Sequence, residues 1–113
     1  MLIVDDHPGF RATARALMQA EGFTVVGEAV DGASAVELAL RLVPDVVLLD
    51  VELPDFDGFE VAARLAVSQS PSAVVLTSSR DRADYGPLVD ESSARGFVAK
   101  GELSGDAVRE LVG

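Results

Sequence analysis

The sequence predicts an α/β protein built on a doubly wound, five-stranded parallel sheet. Two observations carry that expectation. Five short apolar runs (2–4, 24–30, 46–50, 73–77 and 96–100) recur along 113 residues, and the stretches between them carry apolar residues at helical spacing. No repeat, linker or low-complexity tract interrupts the alternation. The right-handed crossover rule then turns alternating strands and helices into one sheet covered on both faces.

Each element has its own signal. LIV (2–4) suits a short buried strand, and Phe10, Ala14, Leu17 and Met18 mark one face of the helix that follows, closed by Gly22. TVVGEAV (24–30) reads as the second strand and ends at Asp31-Gly32. Val36, Ala39, Leu40 and Val43 stripe a helix over 33–43, stopped by Pro44. VVLLD (46–50) is apolar on both faces until its last residue, as a central parallel strand should be. A helix over 58–68 opens with Asp57 and Glu60 at the spacing of a capping box. AVVLT (73–77) and GFVAK (96–100) are the fourth and fifth strands, and a last short helix follows Ser104. The fourth helix should lie in 80–95, but Gly86-Pro87 breaks it, with Pro87 suited to open a shortened helix.

Composition excludes several classes. Hydrophobic residues make up 49%, enough for a globular core. Cysteine is absent, so neither a disulfide framework nor a thiolate metal site is expected. No apolar run approaches the roughly 20 residues of a membrane span, and the start lacks a signal-peptide layout, so a cytoplasmic location is expected. A formal charge of −10 argues against direct nucleic-acid binding and favours divalent cations and basic partners. Eight of the nine basic residues are Arg; the single Lys is Lys100.

In an open parallel sheet, ligands bind beyond the carboxyl ends of the strands. Asp5 and Asp6 follow the first strand, Asp50 closes the third, Thr77 the fourth and Lys100 the fifth. Adjacent carboxylates at a strand end repel one another unless something positive sits between them and Asp50. Mg²⁺ is the natural candidate, since it takes oxygen ligands and shares them with phosphate. A cation, an ammonium, a hydroxyl donor and a nucleophilic carboxylate together suit a phosphoryl group. Ser78 and Ser79 could supply the hydroxyl as well as Thr77. His7 reads as an exposed loop residue rather than a ligand, and Tyr85 has no assigned role.

The motifs in order resemble a response-regulator receiver domain of two-component signalling, with a flavodoxin-like fold. They are the DD pair after the first strand, Asp50-x-x-x-Pro54-x-x-Asp57-Gly58, Thr77 after VVL, and Gly96-Phe97-x-x-Lys100. Asp6 and Asp50 lie 44 residues apart, Asp50 and Thr77 27, and Thr77 and Lys100 23, as in that family. The DDHPGFR opening resembles receivers joined to helix-turn-helix transcription regulators. The resemblance implies that residues 1–113 are one receiver domain and that Asp50 accepts a phosphoryl group from a sensor histidine kinase. It implies Mg²⁺ held by Asp5, Asp6, Asp50 and the main-chain carbonyl of Glu52. It further implies Lys100 pairing with the phosphoryl oxygens, Thr77 and Phe97 as switch residues, and homodimerisation as a possible response. Gly101 departs from the residue usual after the Lys, and Glu52 stands where the side chain influences phosphate lifetime. On this reading the chain is no enzyme beyond phosphorylating and dephosphorylating itself.

Two alternatives remain open at this stage. A haloacid-dehalogenase-type phosphohydrolase also uses a nucleophilic Asp with Thr and Lys, but wants a second Asp where Glu52 stands and its acidic pair late in the chain. A receiver-like docking module that is never phosphorylated fits the broken fourth helix but not the intact Asp50, Thr77 and Lys100.

Overall fold

The computed structural model describes residues 1–113. Its strands are β1 (Leu2–Val4), β2 (Gly27–Ala29), β3 (Val46–Asp50), β4 (Ala73–Ser78) and β5 (Gly96–Ala99). The helices are α1 (Pro8–Ala20), α2 (Gly32–Leu42), α3 (Gly58–Val67), α4 (Leu88–Glu91) and α5 (Gly105–Val112). All strand pairs are parallel, in the order β2-β1-β3-β4-β5. The expected five-stranded doubly wound sheet is therefore present.

Side chains alternate between the two faces of a strand, and the core divides accordingly. Leu2, Val4, Val47, Leu49, Val74 and Leu76 pack with Ala35, Ala39, Val61, Ala62 and Leu65 of α2 and α3. Ile3, Val46, Leu48, Val75 and Val98 pack on the other face with Ala14 and Met18 of α1 and Val108 of α5. This two-sided burial explains why β3 and β4 are buried along their whole lengths.

Several boundaries differ from expectation. β2 covers Gly27–Ala29 rather than 24–30, paired with Leu2–Val4 of β1, although Val26 N–H still donates to the Met1 carbonyl at 2.8 Å ahead of it. α2 ends at Leu42, and Val43 caps it in a left-handed conformation with φ 47° just before Pro44. β4 runs one residue past Thr77, to Ser78, whereas β5 stops at Ala99 and Lys100 opens a 3-10 turn. The capping box at α3 is half made: Asp57 accepts the Glu60 N–H at 2.9 Å, while the Glu60 carboxylate pairs with Arg64 at 3.4 Å.

The fourth helix is broken as the sequence implied. A 3-10 turn over Arg82–Tyr85 comes first, then Gly86, then a single α-turn at Leu88–Glu91. Gly86 adopts φ 57°, ψ −130°, a conformation costly for residues with a Cβ. Pro87 serves as the cap before α4 rather than its first residue.

The loop between β3 and α3 is tied to the start of α2. Asp31 caps α2 from its own chain, accepting the Ser34 N–H at 2.8 Å. Asp55 of the loop accepts the free N–H groups of Gly32 at 2.7 Å and Ala33 at 3.0 Å. Gly58 fixes the other end of this loop. A Cβ there would lie 2.6 Å from the Asp50 carbonyl oxygen, so only glycine lets α3 start this close to the end of β3.

Candidate functional site

The alternation that sorts the core also assembles the site. Asp5 follows Ile3 by two positions, Asp50 follows Leu48, Thr77 follows Val75 and Lys100 follows Val98; each therefore inherits the α1–α5 face of the sheet. Register completes the arrangement, since Asp50 pairs directly with Thr77. Residues scattered along the chain thus meet at one corner of the carboxyl edge.

Asp5 is fully buried and Asp50 is 2% exposed. The Lys100 ammonium lies 2.6 Å from Asp5 Oδ2 and 3.3 Å from Asp50 Oδ2, and sits 4.5 Å above the centre of the Phe10 ring. Phe10 thereby covers the cation on its apolar side. The second oxygen of Asp50, Oδ1, accepts the Glu52 N–H at 3.2 Å. Burial, and then the charge of Asp5, push the Asp50 carboxyl up to about 6, against weaker opposing pulls from the Glu52 N–H and Lys100. Burial alone would lower the Lys100 ammonium, but its bonds to Asp5 and Asp50 hold it above the usual lysine value. Thr77 is fully buried, and its Oγ1 has no hydrogen-bond partner. Such an orphan hydroxyl beside a buried carboxylate marks a place for an incoming oxygen.

Asp6 is more open, at 36% side-chain exposure. His7 is exposed as expected, yet its Nδ1 leans on the acid pair, 3.1 Å from Asp5 Oδ1 and 3.0 Å from Asp6 Oδ1. Ligand atoms of Asp5, Asp6, His7 and Asp50 all lie within 4.8 Å of one another. Carboxylate oxygens dominate the set, so the chemistry fits a hard divalent cation such as Mg²⁺.

Glu52 divides its functions between backbone and side chain. Its N–H serves Asp50, while its carboxylate turns toward the loop after β4. There Glu52 Oε1 accepts the Tyr85 hydroxyl at 3.0 Å and pairs with Arg80 Nε at 3.1 Å. Ser78 Oγ lies 2.7 Å from the Tyr85 hydroxyl. The Tyr85 ring stands 5.9 Å from Phe97 and 5.7 Å from Phe59. Phe97 is half-buried against the α2–α3 side of the core, opposite the acid cluster. The structure brings Asp5, Asp6 and Asp50 into one cluster, with Lys100 beside Asp5 and Asp50 and with Thr77 paired to Asp50, and it adds Phe10, Arg80 and Tyr85, which sequence reasoning had not placed near the site. Their one available signal was that Tyr85 is the single tyrosine of the chain.

The family model for the response regulator receiver domain matches residues 1–111. A protein of Pseudomonas aeruginosa described as a transcriptional regulator is 41% identical over 102 residues, covering 90% of this chain and 49% of that protein. The transcriptional regulatory protein NarL of Mycobacterium tuberculosis is 37% identical over 113 residues, covering 99% of this chain and 52% of that protein. The solved signal receiver domain of M. tuberculosis NarL superposes with a TM-score of 0.87 at 38% identity, covering 98% of this chain and 93% of that one. The chain spans about half the length of the curated relatives it matches. Receiver domains bind Mg²⁺ at an acidic pocket, and the cluster of Asp5, Asp6, His7 and Asp50 could hold a metal ion. The chain belongs to the response regulator receiver domain family.

Proposed function

We propose that residues 1–113 are a single receiver domain acting as a phosphorylation-dependent switch, with Asp50 as the phosphoacceptor. The observation that carries this reading is the meeting of a buried Asp50, the Lys100 ammonium 3.3 Å away and the orphaned Thr77 hydroxyl one strand over. In the reaction, an Asp50 carboxylate oxygen attacks the phosphorus of a phosphohistidine on a sensor histidine kinase. The P–N bond breaks, its electron pair returns to the imidazole, and the imidazole takes up a proton. Lys100 turns from Asp5 to the new phosphoryl oxygens, and Thr77 donates its hydroxyl proton to one of them. Asp5, Asp6, Asp50 and the Glu52 main-chain carbonyl would hold Mg²⁺, which when bound offsets the negative charge gathered there. Water later attacks the phosphorus, the P–O bond to Asp50 breaks with its electron pair returning to the carboxylate, and inorganic phosphate leaves.

The hydrolase alternative needs a free carboxyl at position 52 to protonate a leaving group. The Glu52 carboxylate is instead engaged by Tyr85 and Arg80. On the present reading the domain's partner is a sensor kinase and not nucleic acid, given its net charge of −10. The reading also implies a cytoplasmic domain, because the ATP that charges such a kinase is there.

Incubation with Mg²⁺ and acetyl phosphate or phosphoramidate should add one phosphate to the wild type by intact mass, and none to Asp50→Asn. Chelating the Mg²⁺ should abolish labelling. Sustained phosphate release from many substrates would instead favour the hydrolase. No mass gain with any donor would favour the docking module. Sizing chromatography of the labelled protein tests for homodimerisation.

A further inference from the structure

We infer that Tyr85 is a positioning residue, a hydroxyl latch that holds the loop after β4 in its resting place and opposes the switch. The inference rests on the phosphoacceptor reading of Asp50 and concerns its regulation.

Two hydroxyls converge on one carboxylate oxygen. The Tyr85 hydroxyl donates to Glu52 Oε1 at 3.0 Å. Ser78 Oγ lies 2.7 Å from the Tyr85 oxygen and 3.4 Å from the same Glu52 Oε1, and it accepts the Arg80 N–H at 3.0 Å. Arg80 closes the circuit on Glu52 at 3.1 Å. One phenol therefore ties the 3-10 turn before α4 to the end of β4 and to the loop after β3. Its ring is wedged between Phe59 and Phe97.

Coupling to the acceptor follows from strand geometry. Thr77 and Ser78 are consecutive in β4, so their side chains leave on opposite faces. Thr77 faces the Asp50 side and lacks a hydrogen-bond partner; Ser78 faces Tyr85 and has one. A phosphoryl oxygen on Asp50 would satisfy Thr77, and drawing Thr77 toward it rotates Ser78 away from the phenol. Switching thus sacrifices the Ser78–Tyr85–Glu52 chain, and cutting that chain in advance removes an obstacle to phosphorylation.

The protein supplies its own probe, since Tyr85 is the one tyrosine and there is no tryptophan. A carboxylate accepting a phenol proton quenches tyrosine emission, so resting emission should be low and should rise in Glu52→Gln. Phosphorylation by phosphoramidate with Mg²⁺ should raise wild-type emission in step with the mass gain. Tyr85→Phe and Ser78→Ala, checked for folding by circular dichroism, should each speed labelling roughly three- to tenfold, and the double variant no further. A full mass gain with unchanged emission, or unaltered labelling rates in both single variants, would overturn the latch while leaving Asp50 as acceptor. No mass gain in the wild type would overturn the acceptor reading itself, and the latch with it.

Discussion

The Asp50 carboxyl is 2% exposed and shares its corner with Asp5, and these two facts in that order raise it to about 6. The linkage follows in sign. An unfolded Asp ionises near pH 4, so between about pH 4 and pH 6 the unfolded chain releases this proton first and the folded state loses ground. Stability contributed by the protonated form is present below pH 4 and lost as pH rises through 6. The difference between ionising near pH 4 and near pH 6 corresponds to at most about 3 kcal/mol. Asp50→Asn, which carries no charge to bury, should therefore exceed wild type in metal-free stability at pH 7, and the gap should close by pH 4. Urea unfolding at both values measures it. Lys100 offsets part of the same strain, so Lys100→Met should destabilise the metal-free protein through the buried, uncompensated pair of acids.

Elements matter here chiefly through how they hold the loop after β3. Burial would raise the Asp55 carboxyl, but the N–H groups of Gly32, Ala33 and Phe56 together hold it below its ordinary value. Its stabilisation is then present above the usual carboxylate range and lost as pH falls through the depressed value. Asp55→Asn should lower the urea midpoint at pH 7 and make no difference at strongly acidic pH. Gly58→Ala forces a methyl group onto the Asp50 carbonyl, so it should cost about 1–3 kcal/mol in the same assay and slow labelling of Asp50. These contacts also mark the limit of what the sequence makes legible. Strands and acids were readable because apolar runs and strand-end carboxylates are local signals. The length of β2 was not, because it depends on how that segment pairs with β1 across the sheet. Nor were the bonds of Tyr85, which depend on where a broken helix brings a side chain across 33 residues to Glu52.

At the scale of the molecule, one rule of side-chain alternation does two jobs. It lays Ile3, Leu48, Val75 and Val98 against α1 and α5, and two positions later delivers Asp5, Asp50, Thr77 and Lys100 to a single corner. The site was therefore legible in outline, since the chain's order of strands and a parallel topology suffice to gather the strand ends. Its finer division, with Asp50 on one face and Ser78, Tyr85 and Phe97 on the other, needed the register. An acidic corner of this kind should make stability depend on Mg²⁺. At a hundredfold excess over its dissociation constant the ion should stabilise wild type by about 2.7 kcal/mol, and Asp50→Asn by less. Thermal melts across a Mg²⁺ series test this. The central claim, that Asp5, Asp6, Asp50, Thr77 and Lys100 form one phosphoryl-binding corner, is tested most directly by amide NMR on adding beryllofluoride with Mg²⁺. The account predicts that the amides of all five residues shift together along one saturable binding curve. Shifts confined to one strand end, or separate curves for the Asp6 and Lys100 amides, would contradict it.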